Sequence, residues 1–201
     1  MKLFGFKGTR SNRVEWMLQE LGVDYDFVKV DLLTGEHKQE GHVRRHGHGL
    51  VPALEDGDVR MIESTAACLY LADKHIDKGF APPISSAQRA RYYQLAVYAV
   101  STLDESVVPL YFHTVLLPPE KRQQSVVDAK MPIWETAAAL LTRELGDSPY
   151  FLGKTFSAVD VVVGYDLALA AKAGLLKNHP TLAAFAERVT SRDAFKKAYA
   201  G

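Results

Sequence analysis

Gly49-Leu50-Val51-Pro52-Ala53-Leu54-Glu55-Asp56-Gly57-Asp58-Val59-Arg60-Met61-Ile62-Glu63-Ser64 is the stretch from which the rest of the chain is read. Asp56-Gly57 stands between two apolar runs, and such a pair suits a two-residue hairpin turn whose central positions both take positive φ. Residues 52–62 are therefore expected to form a β-hairpin. Glu63 ends its second strand, and Ser64 or Thr65 caps a helix running to residue 74, with Ala67, Cys68 and Leu71 on its buried side. A carboxylate, a hydroxyl and a helix N-terminus meet at this junction. Helix-terminal N–H groups bind carboxylates and phosphates, and an acid beside them holds an ammonium group. That pairing suits the α-amino-acid end of a small ligand, although an ordinary strand-to-helix junction with a capping serine would carry the same residues.

Upstream, residues 2–6 read as a short apolar strand, and a loop over 7–12 leads into Val14, Met17, Leu18 and Leu21, the i, i+3, i+4, i+7 spacing of an amphipathic helix closed by Gly22. Residues 25–30 supply a second strand. Strand, helix and strand in this order imply a parallel pair with a right-handed crossover. The polar segment 31–48 reads as a long loop with one short helix near 38–46. His37, His42, His46 and His48 cluster in it, but no cysteine accompanies them and they sit in a loop without a helical i, i+4 pair, so no metal is expected.

Downstream, periodicity lapses between 77 and 86, where Lys78-Gly79, Pro82-Pro83 and Ser85-Ser86 mark a linker. The expected organisation is an α/β domain over 1–77, a linker over 78–86 and an all-helical domain over 87–201. Helices are expected at 88–112, 119–145, 157–173, 181–190 and 194–199, with Pro132 kinking or breaking the second. Ser157 and Asp160 frame a capping box and are read as structural.

The chain has 201 residues, 47% of them hydrophobic, which suffices for one large domain or two small ones. Lys+Arg and Asp+Glu balance at 24 each. No basic field is available for nucleic acid or an anionic membrane. With no long apolar run and no leader-like start, a cytoplasmic protein is expected. The single cysteine, Cys68, excludes an internal disulfide and lies among alanines and leucines as a small core residue.

Leu50-Val51-Pro52-Ala53-Leu54, Asp56-Gly57, Glu63-Ser64 and Gly153-Lys154-Thr155-Phe156-Ser157-Ala158-Val159-Asp160, in this order and spacing, resemble the cytosolic glutathione transferases, nearest to hydroxyl-using classes such as theta and phi. The resemblance covers nearly the whole chain. It implies a thioredoxin-like N-terminal domain with a cis bond before Pro52, followed by an all-helical C-terminal domain. It also implies glutathione as co-substrate, with the backbone of Val51 pairing its cysteinyl part, Glu63 and Ser64 holding its γ-glutamyl amine and carboxylate, and His37-Lys38 meeting its glycine carboxylate. Leu50 departs from the polar residue usual there.

In this family a hydroxyl or cysteine near the start of the first helix donates a hydrogen bond to the glutathione sulfur. Thr9, four residues before Arg13, is one candidate here. Ser11 is the other, and could equally be the helix N-cap. Arg10 and Arg13 are nearby cations that either assist the thiolate or stay solvated. The resemblance implies conjugation of glutathione to a small hydrophobic electrophile, in a pocket for which Tyr98 and Tyr111 are the candidate lining, with Leu103, Phe112 and His113 beside them. A homodimer is the family's usual state. Glutathione-dependent disulfide or peroxide reduction, or a non-catalytic binding or interaction module on the same fold, are the alternatives.

Overall fold

The computed structural model describes residues 1–200. The chain divides into two compact units: Met1–Phe80 with the segment that begins at Arg192, and Ala81–Ser191.

The first unit holds a four-stranded sheet in the order β2-β1-β3-β4. Its strands are β1 (Lys2–Gly5), β2 (Asp26–Lys29), β3 (Ala53–Asp56) and β4 (Val59–Met61). β1 runs parallel to β2 and antiparallel to β3, and β3 is antiparallel to β4. The β1–β2 crossover is α1 (Ser11–Leu21), ended by Gly22 at φ 60°, a left-handed C-cap that glycine adopts without steric cost. α2 is one turn (Glu40–Val43), and α3 (Ser64–Lys74) follows β4. Strand alternation divides the sheet's side chains between two faces. The neighbours Leu3 and Leu54 are fully buried on one, while Phe4, Val30 and Ala53 gather Val28, Val51 and Ile62 on the other.

The hairpin forms one residue later than the sequence suggests. Asp56 pairs with Val59, so Gly57-Asp58 are the turn residues, and only Gly57 has positive φ, at 59°. This is the pattern of a type II′ turn, which needs glycine first and leaves Asp58 unrestricted. Asp56 instead ends β3, accepting from the Tyr70 hydroxyl at 2.9 Å and pairing with Lys74.

The second unit is helical. α4 (Ala87–Tyr98) passes through a π-helical turn (Ala99–Leu103) into α5 (Asp104–Tyr111), and a second π turn (Phe112–Leu116) ends the run. The expected helix at 119–145 resolves into a 3-10 turn (Pro119–Lys121) and α6 (Gln124–Leu145). Pro132 does not break α6. Residues 128 and 132 both lie on its exposed side, where water can take the carbonyl that proline leaves without a donor. α7 (Ala158–Lys172) is buried at every position from Ala158 to Ala170, and α8 (Pro180–Thr190) packs beside it.

The C-terminal helix α9 (Asp193–Tyr199) departs from the expected division at residue 87, because it belongs to the first unit. It packs along α1, where Trp16 meets Phe195 edge-on at 4.9 Å and Arg192 makes two 2.6 Å bonds to the Glu20 carboxylate. α1 is consequently buried on more sides than an amphipathic stripe requires: Ser11, Asn12, Arg13, Glu15 and Trp16 are all covered.

Candidate active site

The site is assembled at the heads of α1 and α3. β1 enters α1 through a close approach at Gly5, where an added Cβ would meet the Ser11 Cβ at 2.7 Å and its Oγ at 2.8 Å. Ser11 is fully buried against it, and its Oγ accepts the Phe6 N–H at 3.2 Å. It is the first helical residue and not the cap, since Arg10 holds that position. Thr9 keeps part of its surface exposed. Its hydroxyl donates to the Phe6 carbonyl at 2.6 Å, lies 2.9 Å from Ser11 Oγ and accepts the Ser11 N–H at 3.2 Å. Of the two candidate hydroxyls, only that of Thr9 lies on a residue open to solvent.

Arg13 does not stay solvated. It is fully buried, and its Nη1 donates to Ser64 Oγ at 3.1 Å and to Thr65 Oγ1 at 3.3 Å, joining the first turns of α1 and α3. The Cys68 thiol donates to the Arg13 carbonyl at 3.6 Å. Burial pushes that thiol up to about 12, so Cys68 is a core residue with no thiolate to offer.

Neither Ser64 nor Thr65 caps α3. Ser64 is the first helical residue, and Glu63 takes the cap position without a side-chain capping hydrogen bond. Glu63 is the one non-glycine residue with positive φ among those described, at 69° with ψ 101°. Because Ser64 Oγ accepts from Arg13, its own proton is left to donate. Uncapped helix N–H groups, a hydroxyl proton and a buried cation converge on one spot, with the exposed Glu63 carboxylate beside them. An anion and an ammonium group held side by side are what this arrangement complements.

The histidine segment folds around the next stretch of backbone. Lys38 Nζ donates to the His48 carbonyl at 2.9 Å, and Gly49, at φ +57°, brings its Cα so near that a Cβ would lie 2.6 Å from the His37 carbonyl. His42 and His46 are an i, i+4 pair after all, joined by the His46 N–H to His42 carbonyl bond at 2.9 Å, with rings stacked at 6.4 Å. The His42 ring bonds the Leu50 carbonyl through Nε2 at 2.6 Å. Burial, reinforced by His42 and His48, draws the His46 pKa below its ordinary value against the opposing charge of Glu63. No group of three or more metal-ligating side chains forms among the described residues. The Val51–Pro52 peptide is cis, and Val51 stands outside the strand register, half-buried, two residues before β3.

Thr9, Ser11, His37, Lys38, Val51, Pro52, Glu63 and Ser64 thus all lie in the first unit. Tyr98 and Tyr111 lie in the second, both half-buried, 13 positions apart on one continuous helical run and so about 20 Å apart along its axis. Burial raises the Tyr98 hydroxyl above its ordinary pKa. Leu103 is fully buried and belongs to the core, while Phe112 is exposed. An open cavity of about 440 Å³, lined by Leu18, Gln19, Tyr25 and Phe27 among others, sits at the opposite end of α1 from the candidate hydroxyls.

The sequence reading missed the role of Arg13 and the burial of Asn12. One signal was present: Trp16 falls off the Val14, Met17, Leu18, Leu21 stripe, and an indole on a helix's supposed solvent face calls for a covering element.

Comparison with known proteins identifies the family. Residues 1–73 match the description "Glutathione S-transferase, N-terminal domain" and residues 109–193 match "Glutathione S-transferase, C-terminal domain". The chain is 30% identical to glutathione S-transferase F7 of Arabidopsis thaliana over 98% of both proteins. Among solved structures, it superposes on a sphingomonad glutathione S-transferase complexed with glutathione with a TM-score of 0.84 at 29% identity, covering 99% of this chain and 97% of the other. Glutathione transferase F7 from Populus trichocarpa gives a TM-score of 0.87 at 26% identity, covering 98% and 96%. On these matches and its two-part fold, the chain belongs to the glutathione S-transferase family.

Proposed function

We propose that this glutathione transferase joins the glutathione sulfur to a small hydrophobic electrophile, with Thr9 as the residue that favours the thiolate. The observation that carries the reading is the uncapped head of α3, where Arg13 lies beneath Ser64 and Glu63 stands alongside. The γ-glutamyl end of glutathione has a carboxylate and an ammonium on one carbon, the pair this spot complements. Val51 offers backbone outside the sheet register to the cysteinyl part, and His37-Lys38 offers an imidazole and an ammonium group to the glycine carboxylate.

Reaction requires the thiol proton to leave to water. The thiolate sulfur then attacks the electrophilic carbon and forms the thioether as the carbon's bond to a leaving group such as halide breaks, or as the π pair of an activated double bond passes to its far atom, which takes a proton from water. A thiol of ordinary pKa, about 8.5, is only slightly ionised at neutral pH, and each unit of lowering takes about 1.4 kcal/mol. The Thr9 hydroxyl already donates to the Phe6 carbonyl. Turning it to the sulfur loses a neutral bond of about 1 kcal/mol and gains a charge-assisted one of about 1.5–3. The net is about 0.5–2 kcal/mol, and the α1 N-terminus adds about 0.3–1. One hydroxyl and one helix end therefore suffice for a shift near one unit, and no general base is required.

Tyr98 and Tyr111 are proposed as lining for the electrophile, a homodimer as the working assembly and the cytoplasm as its place. Among the described residues, no helix is long and apolar enough to cross a membrane.

The deciding experiment titrates the glutathione complex by thiolate absorbance in wild type, Thr9→Ala and Ser11→Ala. Wild type should show thiolate well below the free thiol's pKa, and Thr9→Ala should lose it. Retention of the shift in Thr9→Ala with loss in Ser11→Ala would move the role to Ser11, and bound glutathione with no shift at all would remove the transferase mechanism.

A further inference from the structure

The loop that carries Thr9 is tied to the far end of the chain. Asn12 is 1% exposed, and its side-chain amide bridges two backbones: Oδ1 accepts the Gly8 N–H at 2.7 Å, and Nδ2 donates to the Ala198 carbonyl at 2.7 Å. Lys7 Nζ reaches the same carbonyl at 2.9 Å and the Ala200 carbonyl at 3.4 Å, while pairing with Glu15 at 2.8 Å. The residues on both sides of Thr9 are thus fixed by the last turn of α9, which is itself clamped to α1 through Arg192–Glu20 and Phe195–Trp16. Gly8 has φ +81° and nothing within 4 Å of where its Cβ would stand, so tethers at Lys7, Gly8 and Asn12 hold this loop in place of packing around Gly8.

We propose that Asn12 is a positioning residue for thiol activation: by tying Gly8 to the Ala198 carbonyl it holds the Thr9 hydroxyl at the head of α1, making the last helix of the chain part of the catalytic geometry. The inference rests on Thr9 as the sulfur's hydrogen-bond donor. Both ends of the Asn12 amide are occupied by protein backbone, so it acts through Thr9 and not on glutathione. The effect is directional as well as structural, because a hydroxyl placed about 1 Å away from its acceptor forfeits a large part of a rate that depends on alignment.

The test is a double-mutant cycle. Asn12→Leu, close in size but without either hydrogen bond, is made in wild type and in Thr9→Ala, and Asn12→Ser provides a smaller change should the leucine variant fold poorly. The readings are the pKa of the bound glutathione thiol, kcat and KM for glutathione with an activated aryl chloride, and hydrogen exchange at the Gly8 amide. In the Thr9 background, loss of Asn12 should lower kcat by about two- to thirty-fold, no more than loss of Thr9 itself, raise the bound thiol's pKa toward that of free glutathione, leave KM unchanged and expose the Gly8 amide. In the Thr9→Ala background it should change neither kcat nor the thiol pKa further. Equal losses in both backgrounds would mean a merely structural role and overturn the proposal. So would a bound-thiol pKa that stays at its wild-type value in both Asn12 variants while Thr9→Ala loses the shift. If Thr9→Ala itself keeps the shift, the Thr9 assignment fails and the positioning role falls with it.

Discussion

At the head of α7, Ser157 and Asp160 close on each other; at the head of α3, Glu63 and Ser64 do not. The Asp160 carboxylate accepts the Ser157 N–H, the Ser157 hydroxyl and the Phe151 N–H, each at 2.8 Å, and it has no exposed surface. Every donor that it meets belongs to its own unit. At α3 the acid faces solvent and does not cap the first turn, and the serine is oriented by a buried arginine from another helix. Both stretches present a serine and a carboxylate at a helix start, yet one is consumed by the fold and the other is left open, where the γ-glutamyl end of glutathione is proposed to bind. The distinction lies in where the hydrogen bonds end.

Breaking the closed junction should have the largest effect. Asp160→Ala leaves the buried Phe151 and Ser157 N–H groups without acceptors, a loss of about 3–5 kcal/mol, so equilibrium unfolding in urea should show a large fall in midpoint. A change under about 1 kcal/mol would mean that the closed junction is not structural. The open junction should respond in binding instead. Glu63→Gln removes the charge proposed for the ammonium group and should weaken glutathione binding by about ten- to a hundred-fold, the equivalent of about 1.5–3 kcal/mol, measured by calorimetry. Its unfolding midpoint should stay put, since the carboxylate is exposed. A shift in the midpoint with unchanged affinity would reverse the comparison.

Those two junctions also show what could be read in advance. Ser157 and Asp160 were legible because a capping box is a local rule, carried by residues three apart. The parallel β1–β2 pair and the hairpin were legible for the same reason, from alternation and the crossover helix. The open state of α3 was not, since it depends on Arg13, which is 51 positions from Ser64 and looks like a solvent-facing residue in its own helix. Nor was the Asn12–Ala198 tie, which spans 186 positions. α9 was read as the tail of the helical unit because sequence order suggested it, and only the unmatched Trp16 argued otherwise. The turn slipped by one residue because Gly57 alone supplies the positive φ, and Asp56-Gly57 and Gly57-Asp58 are both acceptable turn pairs.

The closed junction also carries a pH dependence. Burial pushes the Asp160 carboxyl up to about 6, against the three donors that favour its charged form. An acid whose folded pKa is raised binds its proton more tightly in the native state, so its contribution is full below the ordinary value of 3.8 and is lost as pH rises through 6. From pH 5 to pH 7 the loss is on the order of 1 kcal/mol. Asp160→Asn, which cannot ionise, should flatten that slope in urea titrations run at the two pH values. An equal slope in the variant would assign the pH dependence elsewhere.

The smallest expected effect is the most pointed. Glu63 holds φ 69° and ψ 101°, a region that non-glycine residues occupy at a cost of about 1–3 kcal/mol. Glycine there relieves this cost and gives back about 0.5–1 kcal/mol through the freer unfolded chain, so Glu63→Gly should stabilise the protein by about 1 kcal/mol. The same substitution deletes the carboxylate and should weaken glutathione binding as much as Glu63→Gln does. A more stable protein that binds less glutathione is the outcome expected if α3's head is kept strained for its ligand. If Glu63→Gly lowers the melting temperature, the side chain is supporting the strand-to-helix junction, and the open end of α3 is then as structural as the closed end of α7.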